Sequence, residues 1–212
     1  DDDRWFPGRL ADALRLLQAR REVAIVSGDA LPPGGGLLLT ADPRGSGRAR
    51  TAIPGDRSHE DLVLDCFVVA STATVRRADW ERVGGMDESL PTAEDYGLWL
   101  RLTADGALAH LLPDALARYG VERDGPCLSD DAEAHARDTL LALRRWARPE
   151  LLGRRNVRAR LGVLSATLAL HAAKGSARPQ ALALARQALT DAPWSAMTWK
   201  ALLACAAGGD RP

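Results

Sequence analysis

The stretch LPTAEDYGLWLRL, residues 90–102, sets two carboxylates, Glu94 and Asp95, at the head of a segment that otherwise reads as an amphipathic helix. A positioned carboxylate can take the proton from a hydroxyl as it attacks. It can equally start a helix, because acidic side chains in a first turn interact favourably with unpaired N–H groups and the positive end of the helix dipole. Leu98, Leu102 and Trp99 follow at three- and four-residue spacing, so both readings stand on these residues alone. A second acidic group, Asp1, Asp2 and Asp3, precedes Trp5 in DDDRWFPGRL. Without context it reads as a frayed acidic end. His59, Glu60 and Asp61 are adjacent and fit a helix start better than a metal site, and His110 reads as a packed strand residue. The GGG run at 34–36 has no GK[ST] after it and is no phosphate loop. With no G-x-S-x-G, no C-x-x-C and no H-E-x-x-H, hydrolase and redox readings are weak.

These side chains need elements to hold them. Pro7 with Leu10, Ala13, Leu14 and Leu17 predicts a helix with proline in its first turn. REVAIVSGD (21–29) predicts a short buried strand. The Gly-, Pro- and Arg-rich run that follows, to about Ser58, predicts a long surface excursion with little regular structure. LVLDCFVVASTATVRR (62–77) reads as a helix edge or turn leading into a buried strand. ADWERVGG (78–85) reads as a short helix stopped by glycines, with Trp80 in the core. ALAHLLPDALARYGVE (107–122) predicts two short strands around a turn at Pro113. From Ser129 on, Ala, Leu and Arg recur at helical spacing, broken at Pro149, Gly175–Pro179 and Pro193, which predicts about four helices. Within them ARPQALALARQALTDAP (177–193) has small residues at 181, 185 and 188, spaced like the second helix of a tetratricopeptide unit.

The chain has 212 residues, 46% hydrophobic and 26% charged, with 28 basic and 28 acidic side chains. That is a folded protein of one substantial domain with a smaller appendage, and nothing global argues for a nucleic-acid partner. No apolar run reaches the length of a membrane span. Cys66, Cys127 and Cys205 are odd in number and scattered, which predicts reduced thiols and a cytoplasmic protein. The sequence starts without Met on a charged cluster, which suggests a fragment. The best domain junction is DGPCLS, giving domains at 1–126 and 127–212.

Three stretches stand in one order: DDDRWFPGRL; then a strand running into RRADWERVGGMDESLP; then AEDYGLWLRL followed by LLPDALARYGV. Together, over roughly residues 1–123, they resemble the second half of a family 2 glycosyltransferase of GT-A fold. Its usual text is D-x-D-D-x-W, then an R-R pair running into G-G-F-D-E and E-D-x-x-L-W-L-R, then P, L and Y-R-x-H. The resemblance implies an α/β fold. The expected fold is a partial GT-A domain, Rossmann-like with a mixed sheet and lacking its N-terminal nucleotide-binding half, followed by an all-α helical extension with a tetratricopeptide-like hairpin. It also implies transfer of a sugar, with inversion, from a nucleotide-diphosphate-sugar donor to a glycan or lipid-linked acceptor.

On this resemblance Asp95 is the general base, with Glu94 beside it. Asp2 is the metal-binding end of the D-x-D, with Asp3 and Asp1 as second choices. Carboxylate oxygens suit Mg²⁺ or Mn²⁺, which neutralises charge on the departing diphosphate. GGMDESLP (84–91) matches the segment lining the acceptor side, which makes Gly85, Asp87, Glu88 and Trp99 acceptor-side candidates. The family's Y-R-x-H is here Tyr119-Gly120-Val121-Glu122, so Glu122 stands where a metal-binding His is usual; it either supplies an oxygen ligand or marks a weakened site. Because the base- and ribose-binding units precede the D-x-D in this family, these residues alone are expected to be inactive.

Many enzymes of this resemblance act on envelope or capsule glycans, which in bacteria points to polysaccharide biosynthesis. RRWARPELLGRRNVRAR, Arg144–Arg160, has seven arginines and one acid. It reads either as a solvated helix face or as a patch for anionic headgroups at the inner face of the cell membrane. The competing class is a catalytically impaired pseudoenzyme or a helical interaction scaffold, which the Glu122 substitution encourages.

Overall fold

The computed structural model describes residues 3–38, 54–120, 131–174 and 178–207. The protein is mixed α/β, a mixed sheet with several helices. It divides into two compact units, Asp1–Asp87 with Asp95–Pro126, and Glu88–Glu94 with Cys127–Pro212.

The first unit opens with a two-residue strand β1 (Arg4–Trp5), helix α1 (Arg9–Ala19) and strand β2 (Val23–Leu31). Gly8, at φ +85°, makes the entry to α1. β2 is buried almost throughout, because its apolar run is covered on both faces. Ala13 and Leu17 of α1 close one face against Val23 and Val26. Arg76 fastens the α1–β2 corner: its guanidinium donates to the carbonyls of Leu17, Arg20 and Val23 at 2.5, 2.8 and 2.7 Å.

The run rich in Gly, Pro and Arg does contain a strand, β3 (Gly55–Arg57). Helix α2 (His59–Leu64) follows, started by a reciprocal cap in which the Ser58 hydroxyl accepts from the Asp61 N–H and the Asp61 carboxylate accepts from the Ser58 N–H. A 3₁₀ turn at Ala70–Thr72, strand β4 (Thr74–Val75) and helix α3 (Arg77–Arg82) lead to Gly84 and Gly85, both at positive φ. Trp80 is 39% exposed rather than in the core. It lies over Gly85, where an added Cβ would meet its ring at 2.7 Å.

Helix α4 (Glu94–Thr103) and strand β5 (Leu108–Arg118) complete the unit. β5 runs parallel to β2, and its other edge is shared by β3 at 109–111 and β1 at 117–118, both antiparallel. The predicted pair of short strands around Pro113 is therefore one strand of 11 residues. Proline is tolerated because Pro113 falls between the two stretches paired on that edge and inside a register shift against β2, where Ser27 faces Leu111 and Asp29 faces Ala115. Gly28 faces this bulge, and a Cβ there would come within 2.7 Å of the Asp114 carbonyl oxygen.

The second unit is helical: α5 (Ala132–Trp146), α6 (Pro149–Leu152), α7 (Arg155–Lys174), α8 (Arg178–Asp191) and α9 (Ala196–Ala207). Five helices among the described residues replace the expected four, because Pro149 starts a one-turn helix as well as ending the previous one. The segment 88–94 is tied to α5 through Thr92, whose hydroxyl and N–H both reach the Asp138 carboxylate, at 2.7 and 3.2 Å. Ala166, Ala169, Ala181, Ala185, Ala188 and Ala201 form the α7–α8–α9 core. Small side chains let helices approach closely, and at Gly162 an added Cβ would meet that of Ala192 at 2.5 Å.

Candidate functional site

Parallel β2 and β5 end together, Leu31 beside Arg118, and β1 runs back from that end with Arg4 opposite Arg118. Asp3, one residue before β1, therefore lands at the carboxyl ends of both strands. Its Oδ1 accepts the Gly120 N–H at 2.7 Å, and its Oδ2 accepts the hydroxyl of Ser71. Gly120 takes φ +67° to turn the chain at this point.

The Ser71 turn is itself held on several sides. Buried Arg9 donates from Nη1 to the Ser71 carbonyl at 2.5 Å, and from Nη2 to the Ala73 carbonyl and Thr74 Oγ1, both at 3.3 Å. The Arg9 guanidinium sits 3.9 Å from the centre of the Trp5 ring, and desolvation lowers its pKa from the ordinary value. Thr72, fully buried, lies 2.8 Å from both Ser27 Oγ and the Gly28 carbonyl oxygen. Asp29 is buried near the end of β2, and its Oδ1 accepts the Ala30 N–H at 2.7 Å. A cleft of about 670 Å³ runs nearby between α1 and β5, with Phe6, Arg9, Leu16, Leu112 and Leu116 among its lining residues.

Asp95 is organised by a different element. It is half-buried in the first turn of α4, and its Oδ1 accepts the Tyr96 N–H at 2.6 Å. Tyr96 fixes the turn by donating its hydroxyl to the Leu62 carbonyl at 2.7 Å. Three residues past Leu98, Arg101 donates to the carbonyls of Val83 and Gly85 at 2.7 and 2.6 Å, which straps the glycine loop to α4. Burial lowers the Arg101 pKa, and the charge of Asp87 opposes that shift. Gly85 and Asp87 are thus tied to the helix that carries Asp95. Glu94 opens α4 and Glu88 is exposed; both are grouped with the second unit. Trp99 is 4% exposed, so its ring face is covered, and its indole nitrogen has no hydrogen-bond partner among the described residues.

Of the residues assigned to a cation, Asp1, Asp2 and Glu122 lie outside the described residues. Among the described residues no three His, Cys, Asp or Glu side chains converge on one point. Asp3 brings hard carboxylate oxygens to the strand ends, the donor chemistry that Mg²⁺ or Mn²⁺ takes, and each oxygen already accepts one protein hydrogen bond. Sequence reasoning passed over Ser71, Arg9 and Arg101. The hydroxyl-rich AST ahead of the RR pair was the available signal for Ser71. The two arginines drew no reading of their own, because nothing local shows that a guanidinium will meet backbone carbonyls far along the chain. No family model, curated protein or solved structure matches this chain.

Proposed function

We propose that this chain carries the base-bearing, acceptor-side part of an inverting family 2 glycosyltransferase with a GT-A-type sheet. The observation that carries the reading is Asp3 at the carboxyl ends of the parallel pair β2 and β5, since open α/β sheets bind ligands outside those ends. The strapping of Gly85 to α4 through Arg101 supports it further, because it ties an acceptor-side loop to the helix of the base.

In this reading a nucleotide-diphosphate-sugar is the donor and a glycan or lipid-linked hydroxyl the acceptor. The Asp95 carboxylate takes the hydroxyl proton as that oxygen bonds to the anomeric carbon, while the bond from that carbon to the diphosphate breaks on the opposite face. One base and a single displacement give inversion. The α4 first turn limits the freedom of Asp95, which keeps it oriented for proton transfer. A divalent cation, bound by Asp2 with Asp3, Asp1 or Glu122, would neutralise charge on the departing diphosphate.

The test pairs binding with turnover. UDP, GDP, CDP and dTDP are each added with and without Mn²⁺, and one of them raises the melting temperature only with the metal. In a complete enzyme, Asp95→Asn keeps that shift while sugar transfer falls by about 100- to 10,000-fold, the usual worth of a general base. An Asp95→Asn protein that keeps most of its turnover removes Asp95 from the mechanism. Absent turnover in the complete enzyme, with partner capture that survives loss of both Asp95 and Asp3, favours the scaffold reading instead.

A further inference from the structure

We propose that the turn between α8 and α9, together with the outward face of α9, docks on an anionic lipid bilayer. Helix α9 buries Thr198, Ala201 and Cys205 toward its neighbours. On its other side Trp199 and Leu203, four residues apart, are 50% and 66% exposed. The Trp199 indole N–H donates to the Pro193 carbonyl at 2.7 Å, which holds that ring at the turn. The next residue, Trp194, is itself 44% exposed. Arg155 and Arg158 of α7 place their guanidinium groups 5.1 and 5.5 Å from the centre of the Trp194 ring. Two indoles and a leucine are thus exposed, with two arginines beside the first indole.

Charge selects the occupant. From Leu151 to Ala207 there are eight Lys or Arg and one acid, Asp191. Asp191 is 7% exposed and paired with Arg144, so it offsets nothing at the surface. Within Arg144–Arg160, Arg144 pairs with Asp191, Arg148 pairs with Glu150 and Arg145 donates to the Ser89 hydroxyl. The arginines at the Trp194 turn are the ones that complement negative headgroups. Indoles with one polar edge settle at the depth of lipid headgroups, and basic side chains beside them draw the surface to anionic lipid. A peptide is recognised in a groove or along a sheet edge. Side chains projecting from a turn and a helix face suit a fluid surface instead.

Neither Asp3 nor Asp95 enters this inference, so it stands or falls apart from sugar transfer. The full chain is sedimented with phosphatidylcholine vesicles and with vesicles of equal parts phosphatidylcholine and phosphatidylglycerol. Binding to the anionic vesicles, little binding to the neutral ones, and a blue shift of tryptophan emission are expected. Leu203→Glu and Arg155→Glu, both exposed positions, each weaken binding by about tenfold or more with unchanged circular dichroism. Equal binding to both vesicles, binding to neither, or variants that bind as the parent does overturn the proposal. So does retention of an acidic peptide in place of vesicles.

Discussion

Asp56 shows how one side chain can organise three elements. Its carboxylate receives two hydrogen bonds from Arg20, at 2.9 and 2.8 Å, and one from His110 Nδ1 at 2.6 Å. Arg20 lies just past α1, Asp56 on β3 and His110 on β5. Hydrogen bonding to Arg20, then to His110, holds the Asp56 carboxyl well below the usual carboxylate range. A depressed folded pKa means that the group stabilises the fold above its unfolded value. That contribution is lost as pH falls below about 4. Asp56→Asn should therefore lower the melting temperature at pH 7, and the gap to the parent should begin to narrow as the pH is taken from 4 toward 3. A gap that stays constant over that range would refute the ion-pair account. The sequence reading had His110 as a packed strand residue; the strand is right, and the Asp56 partner came from a segment read as irregular.

Strand β5 carries the largest difference between expectation and fold. Proline inside an alternating run argues for a turn, and on local grounds that inference was sound. What overrides it is the neighbouring chain. β2 pairs along β5 on one side, and Gly28 leaves room for the backbone of the bulge to come close. Gly28→Ala should cost about 1–3 kcal/mol, because the added methyl meets a backbone carbonyl that cannot rotate away. Chemical denaturation would measure it, and a neutral result would mean that the bulge relaxes freely. Helices were more legible than strands. α4 follows from its acidic first turn and apolar spacing, and the short α3 from its terminal glycines, all of them local signals. The two-residue strand β1 has no such signal, since pairing with a distant partner is all that defines it, and of the buried strand expected late in 62–77 only the half-buried pair Thr74–Val75 forms, as β4.

A formal net charge of zero hides a strong segregation. Residues 1–150 hold 26 of the 28 acids, while the α7–α9 layer is basic. Because charge is screened over a Debye length, a locally basic surface acts on a charged partner whatever the net charge. Retention on a cation exchanger near the sequence pI of about 7.1 should follow, with Arg154→Glu and Arg155→Glu eluting at lower salt. Flow-through of the parent protein would show that the basic layer is not presented. Among the described residues no helix is long and apolar enough to cross a membrane.

From the sequence came the α/β class of the first part and the helical character of the second. It also supplied the carboxylates at the head of α4, because periodicity, capping and composition are short-range properties of a chain. It could not supply the anchoring of Asp3 to Gly120, 117 residues away, or the Arg101 strap on the glycine loop. Nor could it show that Pro113 sits inside a continuous strand. Those depend on which backbone groups a long-range pairing leaves facing one another, and no local pattern encodes that.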